Sequence, residues 1–321
     1  MPGGGTRTFV DAAHYEAALC QMQIEAIIVF RGKFSARLTW AELHYLQLLR
    51  CEEDVARVAH LHLAPGLVFV TFPAYPTSLP VCRGAELHPD DIIFHRRGER
   101  LHQSIPQSFV WNVIAVEPAQ LERYSRVLSG ASHSLPAGGP ILQLTPRLAA
   151  RLRRLHAQAC RLAETKARML SHPQVSRAIE QELIEVLVAC LTTAKTRAEI
   201  LPVPHCATLM DRFEGVLGQH LGQPRNIFEL CELIGVSARA LRACCAQFLG
   251  MSPARYMLLR RLREVRNALL HADSDTESVA GIAHRFGFAK TAHFTEIYRA
   301  IFGETPSTTL QHIIDARFAG A

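Results

Sequence analysis

The chain has 321 residues, of which 49% are hydrophobic, and it carries a formal net charge of +6 at pH 7. This length predicts two domains, because a single hydrophobic core rarely grows past about 250 residues. No apolar run approaches the roughly 20 residues that cross a bilayer, and the glycine-rich start has no apolar core of a secretory signal. We therefore expect a cytoplasmic protein with no membrane partner and a loose tail over residues 1–20.

The cysteines are scattered along the chain, and no two of them form a C-x-x-C pair. An odd count without paired spacing argues against a disulfide framework and against a structural zinc site. We expect buried free thiols, as in proteins of a reducing compartment, and no cofactor. The nine cysteines are Cys20, Cys51, Cys82, Cys160, Cys190, Cys206, Cys231, Cys244 and Cys245.

Short segments in which apolar and polar residues alternate follow the tail, at 35–40, 43–49 and 55–63. This period of two is typical of half-buried strands. In the third segment Arg57, Ala59 and Leu61 fall on one face, and Val58 and His60 fall on the other. Regular short strands separated by turn signals predict a β-roll or barrel, which we assign to residues 21–134.

An enzyme is the alternative for this region, because His60-Leu61-His62 resembles the metal-binding H-x-H of cupin enzymes. A three-histidine, one-glutamate site needs a glutamate a few residues later. The sequence gives Leu63-Ala64 and then a proline-glycine turn instead. We therefore expect no catalytic residues and no metal, and keep a metal-dependent cupin enzyme fused to a DNA-binding module as the alternative.

A connector is predicted over residues 135–204. It begins with a proline- and glycine-rich linker and continues with apolar residues at helical spacing, at 148, 152, 155, 159 and 162 and again at 175–190. The spacing leaves two alternatives open for these helices. They form a homodimer interface over residues 147–191, or they pack on the β-rich domain.

A first helix-turn-helix unit is predicted after residue 225. Asn226 with Glu229 three residues later is a capping-box arrangement, Gly235 supplies a tight turn, and Ser237 caps the next helix. On that helix Leu241 and Cys245, at i and i+4, face inward. Arg239 and Arg242 then point outward, on a helix of the size that enters the major groove.

The same arrangement returns about 50 residues later. Ser278 caps a helix, Gly287 makes the turn, and Phe294 and Tyr298 anchor the following helix at i and i+4. The residues left for the outer face are Lys290, Thr291 and His293. A long helix that opens at Pro253 joins the two units.

Positive charge is concentrated in this region. Residues 239–266 contain seven arginines and one glutamate, a net charge equal to that of the whole chain. A basic stretch on predicted DNA-reading helices favours contact with phosphates. The sequence therefore predicts DNA as the partner of the domain at 205–321.

Two segments make the chain similar to the AraC/XylS family of transcription regulators. They are LIGVSARALRACCAQFLGMSPARYMLLRRLREVRNALL and SVAGIAHRFGFAKTAHFTEIYRAIFGETPSTTL, and the resemblance extends from Leu209 to about Leu310. It implies two recognition helices that enter successive major grooves, about 34 Å apart on one face of DNA.

Carried over position by position, the resemblance implies DNA contacts at Ser237, Arg239, Arg242, Ala243, Lys290, Thr291, Ala292, His293 and Glu296. Ala243 stands where an arginine is frequent, and Cys245 stands where a phenylalanine is usual. The first core is therefore expected to be loose, and the second unit is expected to read fewer bases, because Ala292 and Glu296 offer little to bases or phosphates.

The fold class implied is α+β, with a cupin-like β-roll sensor domain, a helical connector and an all-α domain that holds two helix-turn-helix units. The overall layout resembles the ethanolamine-operon activator branch, and the resemblance also implies partners: double-stranded DNA, a small-molecule effector and RNA polymerase. Activation of transcription is expected on family grounds. The sequence identifies neither the effector nor its binding residues.

Overall fold

A computed structural model of the chain describes residues 3–29, 34–75, 80–129, 141–197, 204–219, 226–272, 277–289 and 291–311. Its strands are β1 (Gly3–Phe9), β2 (Met22–Ile28), β3 (Ala36–Glu42), β4 (Leu46–Glu53), β5 (Arg57–Leu63), β6 (Val68–Pro73), β7 (Val81–Cys82), β8 (Ala85–Glu86), β9 (Asp91–His95), β10 (Arg100–Ile105), β11 (Phe109–Val116), β12 (Ile141–Gln143) and β13 (Lys195–Thr196).

Its helices are α1 (Ala12–Ala18), α2 (Pro118–Ser129), α3 (Pro146–Thr165), α4 (Ala167–Leu170), α5 (Pro173–Thr193), α6 (Pro204–Gln219), α7 (Ile227–Ile234), α8 (Ala238–Leu249), α9 (Pro253–His271), α10 (Val279–Arg285) and α11 (Thr291–Phe302). The sheet-rich region comes first and the helical region last, as the sequence predicted.

The strands form two antiparallel sheets that enclose one apolar core. The larger sheet has the order β1-β3-β4-β11-β6-β9-β12-β13, and the smaller has the order β2-β5-β10-β7-β8. The alternation in β5 is confirmed, because Ala59 and Leu61 lie in the core between the sheets. On the opposite face of β5, Val58 is also buried, in a cluster with the C-terminal helices. The outer face of the smaller sheet is therefore covered by the helical region.

The expectation of a loose N-terminal tail is wrong for residues 3–18. Strand β1 pairs with β3 along its whole length, and Asp11 caps α1 by accepting from the backbone N–H groups of Ala13 and His14 at 2.9 and 3.2 Å. The glycines that suggested a tail are required for packing. A Cβ atom at Gly5 would lie 2.7 Å from the ring of Trp40.

Helices α3 and α5 pack on the outer face of the larger sheet. Leu152 and Ala159, from the predicted apolar seam of α3, are buried there with Leu183 and Leu187 of α5. The seam therefore packs within the chain. Strands β12 and β13, from the stretch assigned to linker and connector, add to the edge of the sheet through β9.

The expectation that every cysteine is a free thiol is wrong at one pair. Cys206 of α6 and Cys244 of α8 form a disulfide, with their Cα atoms 5.4 Å apart. The sequence separation of 38 residues gave no local signal, since the pair meets only when α6 packs against α8. The remaining seven cysteines have free thiols, and of these only Cys20 is exposed.

Within the described residues, no helix combines the length and the apolar character that crossing a membrane requires.

Candidate nucleic-acid interface

The first helix-turn-helix unit consists of α7 and α8, and its local signals are confirmed. The Asn226 side chain accepts from the backbone N–H groups of Phe228 and Glu229 at 2.9 and 3.0 Å, and it donates to the Glu229 carboxylate at 2.7 Å. Gly235 ends α7 with φ +73°, a left-handed conformation that favours glycine. Ser237 then caps α8 by accepting from the Ala240 N–H.

Helix α8 separates a buried face from an exposed one. Leu241 and Cys245 are fully buried, as predicted, and Phe248 joins them. Arg239 and Arg242 are exposed, together with Ser237 and Ala243. Neither arginine forms a hydrogen bond or ion pair with any residue that the structure describes. Both guanidinium groups are therefore available to an external partner.

The second unit consists of α10 and α11 and has an aromatic core. Ser278 caps α10 through the Gly281 N–H at 3.1 Å, and Gly287 in the turn has φ +80°. Phe294 and Tyr298 are buried with their ring centroids 5.6 Å apart. Tight aromatic packing fixes the orientation of α11.

The outer face of α11 is exposed at Ala292, His293 and Glu296. Thr291 is the first residue of this helix, and the position of its side chain is not described. Lys290 lies outside the described residues. The exposed positions of the second unit thus carry one neutral small side chain, one imidazole and one carboxylate, a weaker set for phosphates and guanines than the two arginines of α8.

The basic run of residues 239–266 divides between exposed and acid-paired arginines, so the expected contact with phosphates does not extend to the whole run. On α9, three of its arginines pair with acids instead of facing solvent. Arg260 pairs with Glu214, Arg263 with Glu16 at 2.9 Å, and Arg266 with Asp11 at 3.1 Å and Glu304 at 2.6 Å. Because Asp11 and Glu16 belong to the sheet-rich region, α9 forms part of a contact within the chain.

Glu214 of α6 is the centre of this contact. It accepts from His102 Nε2 of β10 at 2.8 Å, from the Tyr256 hydroxyl and from Arg260. Burial alone would raise the pKa of Glu214, but the hydrogen bond from His102 and the charges of His102 and Arg260 outweigh burial and hold the pKa well below its usual range. The sheet-rich region and the helical region thus share one buried ionic group.

His60, from the H-x-H segment, lies beside this group. Its ring stacks on His102 with centroids 5.0 Å apart. Burial lowers the pKa of His60 to about 4, and the charge of Glu214 opposes that effect only in part. Among the described residues no three His, Cys, Asp or Glu side chains are grouped so that they could hold a metal ion. The segment contributes to the contact between regions.

Comparison with known proteins agrees with the C-terminal geometry. A family model described as a helix-turn-helix domain matches residues 230–312. The chain is 29% identical over 142 residues to the "Probable thc operon regulatory protein" of Rhodococcus erythropolis, which covers 44% of this chain and 43% of the relative. It is 33% identical over 101 residues to the XylDLEGF operon transcriptional activator 3 of Pseudomonas putida, which covers 32% and 30%.

The chain therefore spans less than half the length of these curated relatives. Among solved structures, the AraC-like transcriptional activator CuxR is similar over 82% of this chain and 94% of its own, with 14% identity and a TM-score of 0.41.

Proposed function

We propose that this chain is an AraC/XylS-type transcription regulator that binds double-stranded DNA sequence-specifically, because residues 230–312 match a helix-turn-helix domain model and the chain is similar to operon activators. The DNA-binding domain that we assign comprises residues 205–321. Activation is the sign of control favoured by the relatives, two of which are named for operon regulation or activation.

The observation that carries this proposal is the outer face of α8. Arg239 and Arg242 are exposed on a helix whose opposite face is anchored by Leu241 and Cys245. An arginine so placed reaches the O6 and N7 atoms of guanine with two donors, the commonest specific contact in the major groove. Ser237, which caps α8, is exposed beside these arginines, and a helix N-terminus of this kind suits a phosphate.

The second recognition helix has a supporting role in this proposal. Thr291, Ala292, His293 and Glu296 are the side chains assigned to its DNA-facing surface, with Lys290 before them. Its aromatic core orients α11 firmly, but two of these four side chains give little hydrogen bonding to bases. We therefore assign most of the base-specific affinity to α8 and a positioning role to α11.

The sheet-rich region is the proposed sensor of a small-molecule effector, with a cupin-like fold supported by its two antiparallel sheets. We assign it β1 and α1 as well as residues 21–134, and treat the helices of residues 135–204 as its connector. Any effector signal can reach the DNA-binding helices through contacts such as the Arg263–Glu16 pair. A cleft of about 510 Å³ lies at this junction, between Asp11, Phe34, Arg266 and Phe302.

The other proposed partners are RNA polymerase, which an activator must contact, and a second copy of the chain. A second copy would contact the exposed faces of α3 and α5 within residues 147–191, because the apolar seams of these helices pack inside the chain. A homodimer through this surface is therefore proposed to rest on polar contacts.

Selection from a pool of randomised DNA duplexes tests the proposal. We expect enrichment of a sequence with two contacted segments about 10 base pairs apart, one for each recognition helix. Affinity for the selected duplex should fall steeply between about 50 and 200 mM salt, because each neutralised phosphate releases counterions. A pool that remains unenriched, or binding that is insensitive to salt, contradicts the proposal.

A further inference from the structure

A disulfide joins the first helix-turn-helix unit to the preceding helix, between Cys206 near the start of α6 and Cys244 in the middle of α8. We propose that these two residues are a reversible thiol–disulfide pair, a site of oxidative modification that locks the recognition helix α8 to α6. The inference rests on the proposed function only for its effect on DNA binding. The pair itself is independent of any ligand.

The positions of the two residues make the pairing specific. Their Cα atoms are 5.4 Å apart, within the range of about 4.4–6.8 Å that a disulfide spans without backbone movement. Cys244 follows the exposed Arg242 and Ala243 and is itself 2% exposed. A bond at Cys244 therefore holds α8 from its inner side and leaves the DNA-facing side chains free.

Cys206 is the residue that an oxidant reaches first. It is partly exposed, and it lies in the first turn of α6, which begins at Pro204. Unpaired N–H groups at a helix N-terminus stabilise a thiolate, which is the reactive form of cysteine. Partial exposure and a position in the first turn of a helix thus coincide at one member of the pair.

The other thiols differ from this pair. Burial raises the pKa of Cys51, Cys160, Cys190 and Cys245 to about 12, so these groups stay protonated and unreactive. Cys20 is exposed, and it has no partner thiol among the described residues. An oxidant is therefore expected to add to Cys20 but to cross-link Cys206 with Cys244.

The oxidation balances with a low-molecular-weight disulfide such as glutathione disulfide as the oxidant. The Cys206 thiolate attacks one sulfur of glutathione disulfide, which forms a mixed disulfide and releases one glutathione thiolate. The Cys244 thiol then loses its proton to solvent or to the departing thiolate and attacks the Cys206 sulfur, which releases the second glutathione. The protein pair loses two electrons, and one glutathione disulfide becomes two glutathione molecules.

The cross-link changes the DNA-binding unit in two ways. It closes a loop of 38 residues, which restricts the unfolded chain and stabilises the folded one. It also fixes α8 before DNA arrives, and a recognition element that is already ordered loses less freedom on binding. The oxidised protein should therefore be both more stable and tighter on DNA than the reduced protein.

The test compares full-length protein treated with dithiothreitol or with glutathione disulfide, in a Cys20→Ser background and in the same background with Cys206→Ser. We expect peptide mapping of the oxidised parent to recover the Cys206–Cys244 cross-link. Its melting temperature should exceed that of the reduced form by about 5 °C or more, and its affinity for a pool of randomised duplexes should be higher by about fivefold. The Cys206→Ser protein should show none of the three changes.

Absence of the cross-linked peptides after oxidation overturns the proposal, as does a cross-link that leaves melting temperature and affinity unchanged. A lower affinity after oxidation overturns the locking effect. Failure of both redox forms to bind any duplex overturns the proposed DNA-binding function instead, because peptide mapping and melting report on the thiol pair without DNA.

Discussion

Two arginines of α8 and three of the five on α9 come from one basic run, and the structure places them in opposite environments. Arg239 and Arg242 are exposed on α8, whereas Arg260 and Arg263 of α9 pair with carboxylates at the contact with the sheet-rich region. The difference shows that a local excess of charge does not identify its partner. What decides is whether the helix face that carries the arginine is covered by another part of the chain.

The largest effect expected from this comparison concerns the buried pair of Glu214 and Arg260. The Glu214→Gln protein would leave Arg260 buried beside a neutral amide, and removing one partner of a buried ion pair costs about 3–5 kcal/mol. Urea denaturation of the Glu214→Gln protein and of the parent protein measures this loss of stability. The Arg242→Ala protein is the matched control and should change stability by no more than about 0.5 kcal/mol, because Arg242 is exposed. Equal stability of the two variants would show that α9 is not closed against its neighbours.

The first helix-turn-helix unit could be predicted from the sequence because its signals are local. Asn226, Gly235 and Ser237 specify caps and a turn within a few residues of their own positions. The outward direction of Arg242 follows from its position next to buried Leu241 on a helix of 3.6 residues per turn. The exposed face of α8 therefore followed from periodicity, and the assignment of that face to DNA came from the family resemblance.

The contact between regions could not be predicted in this way. Glu214 and His102 are 112 residues apart, and nothing in the sequence of α6, which also carries Asp211, indicates the partner of Glu214. The same limit applies to Cys206 and Cys244, which only the packing of α6 on α8 brings together. Strand β1 was missed for another reason, since its glycines resemble a linker until the ring of Trp40 is placed against Gly5.

A smaller effect is expected at the exposed face of α8. The Arg242→Ala protein should lose about 1–3 kcal/mol of affinity for a selected duplex and should accept any base at one position, since a two-donor contact to guanine is removed. Affinities for the selected duplex and its single-base variants measure both effects. Unchanged affinity with unchanged base preference would contradict the assignment of the outer face of α8.

Arg263 of α9 is expected to affect stability but not the reading of bases, as measured with the same selected duplex and its single-base variants. The Arg263→Ala protein should lose about 1 kcal/mol of stability, because its pair with Glu16 is largely but not fully removed from solvent. Its base preference should equal that of the parent protein. Relaxed base preference in this variant would mean that α9 reads DNA, and the contrast between the two helices would then be wrong.

The smallest effect expected is the pH dependence at His60, which reports whether the covered face of α9 stays closed. Burial lowers the pKa of His60 to about 4, whereas a histidine in an unfolded chain has a pKa near 6.5. Above about pH 7.5 His60 is neutral in both the folded and the unfolded state and contributes nothing to the pH dependence. As the pH falls from about 7.5 towards 4, the unfolded chain binds the proton first, so the free energy of unfolding decreases.

Titration of the His60 imidazole by NMR measures this pKa directly. Between about pH 7.5 and 6, protonation of His60 should lower the free energy of unfolding by less than about 1 kcal/mol. This contribution should be absent from the pH dependence of the His60→Gln protein. His156 also has its pKa lowered to about 4, by burial at a distance from α9, so its titration serves as an internal control for a core histidine. If His60 titrates near 6.5 while His156 does not, water reaches the face of α9 that carries Arg260. The paired arginines would then be as accessible to DNA phosphates as those of α8.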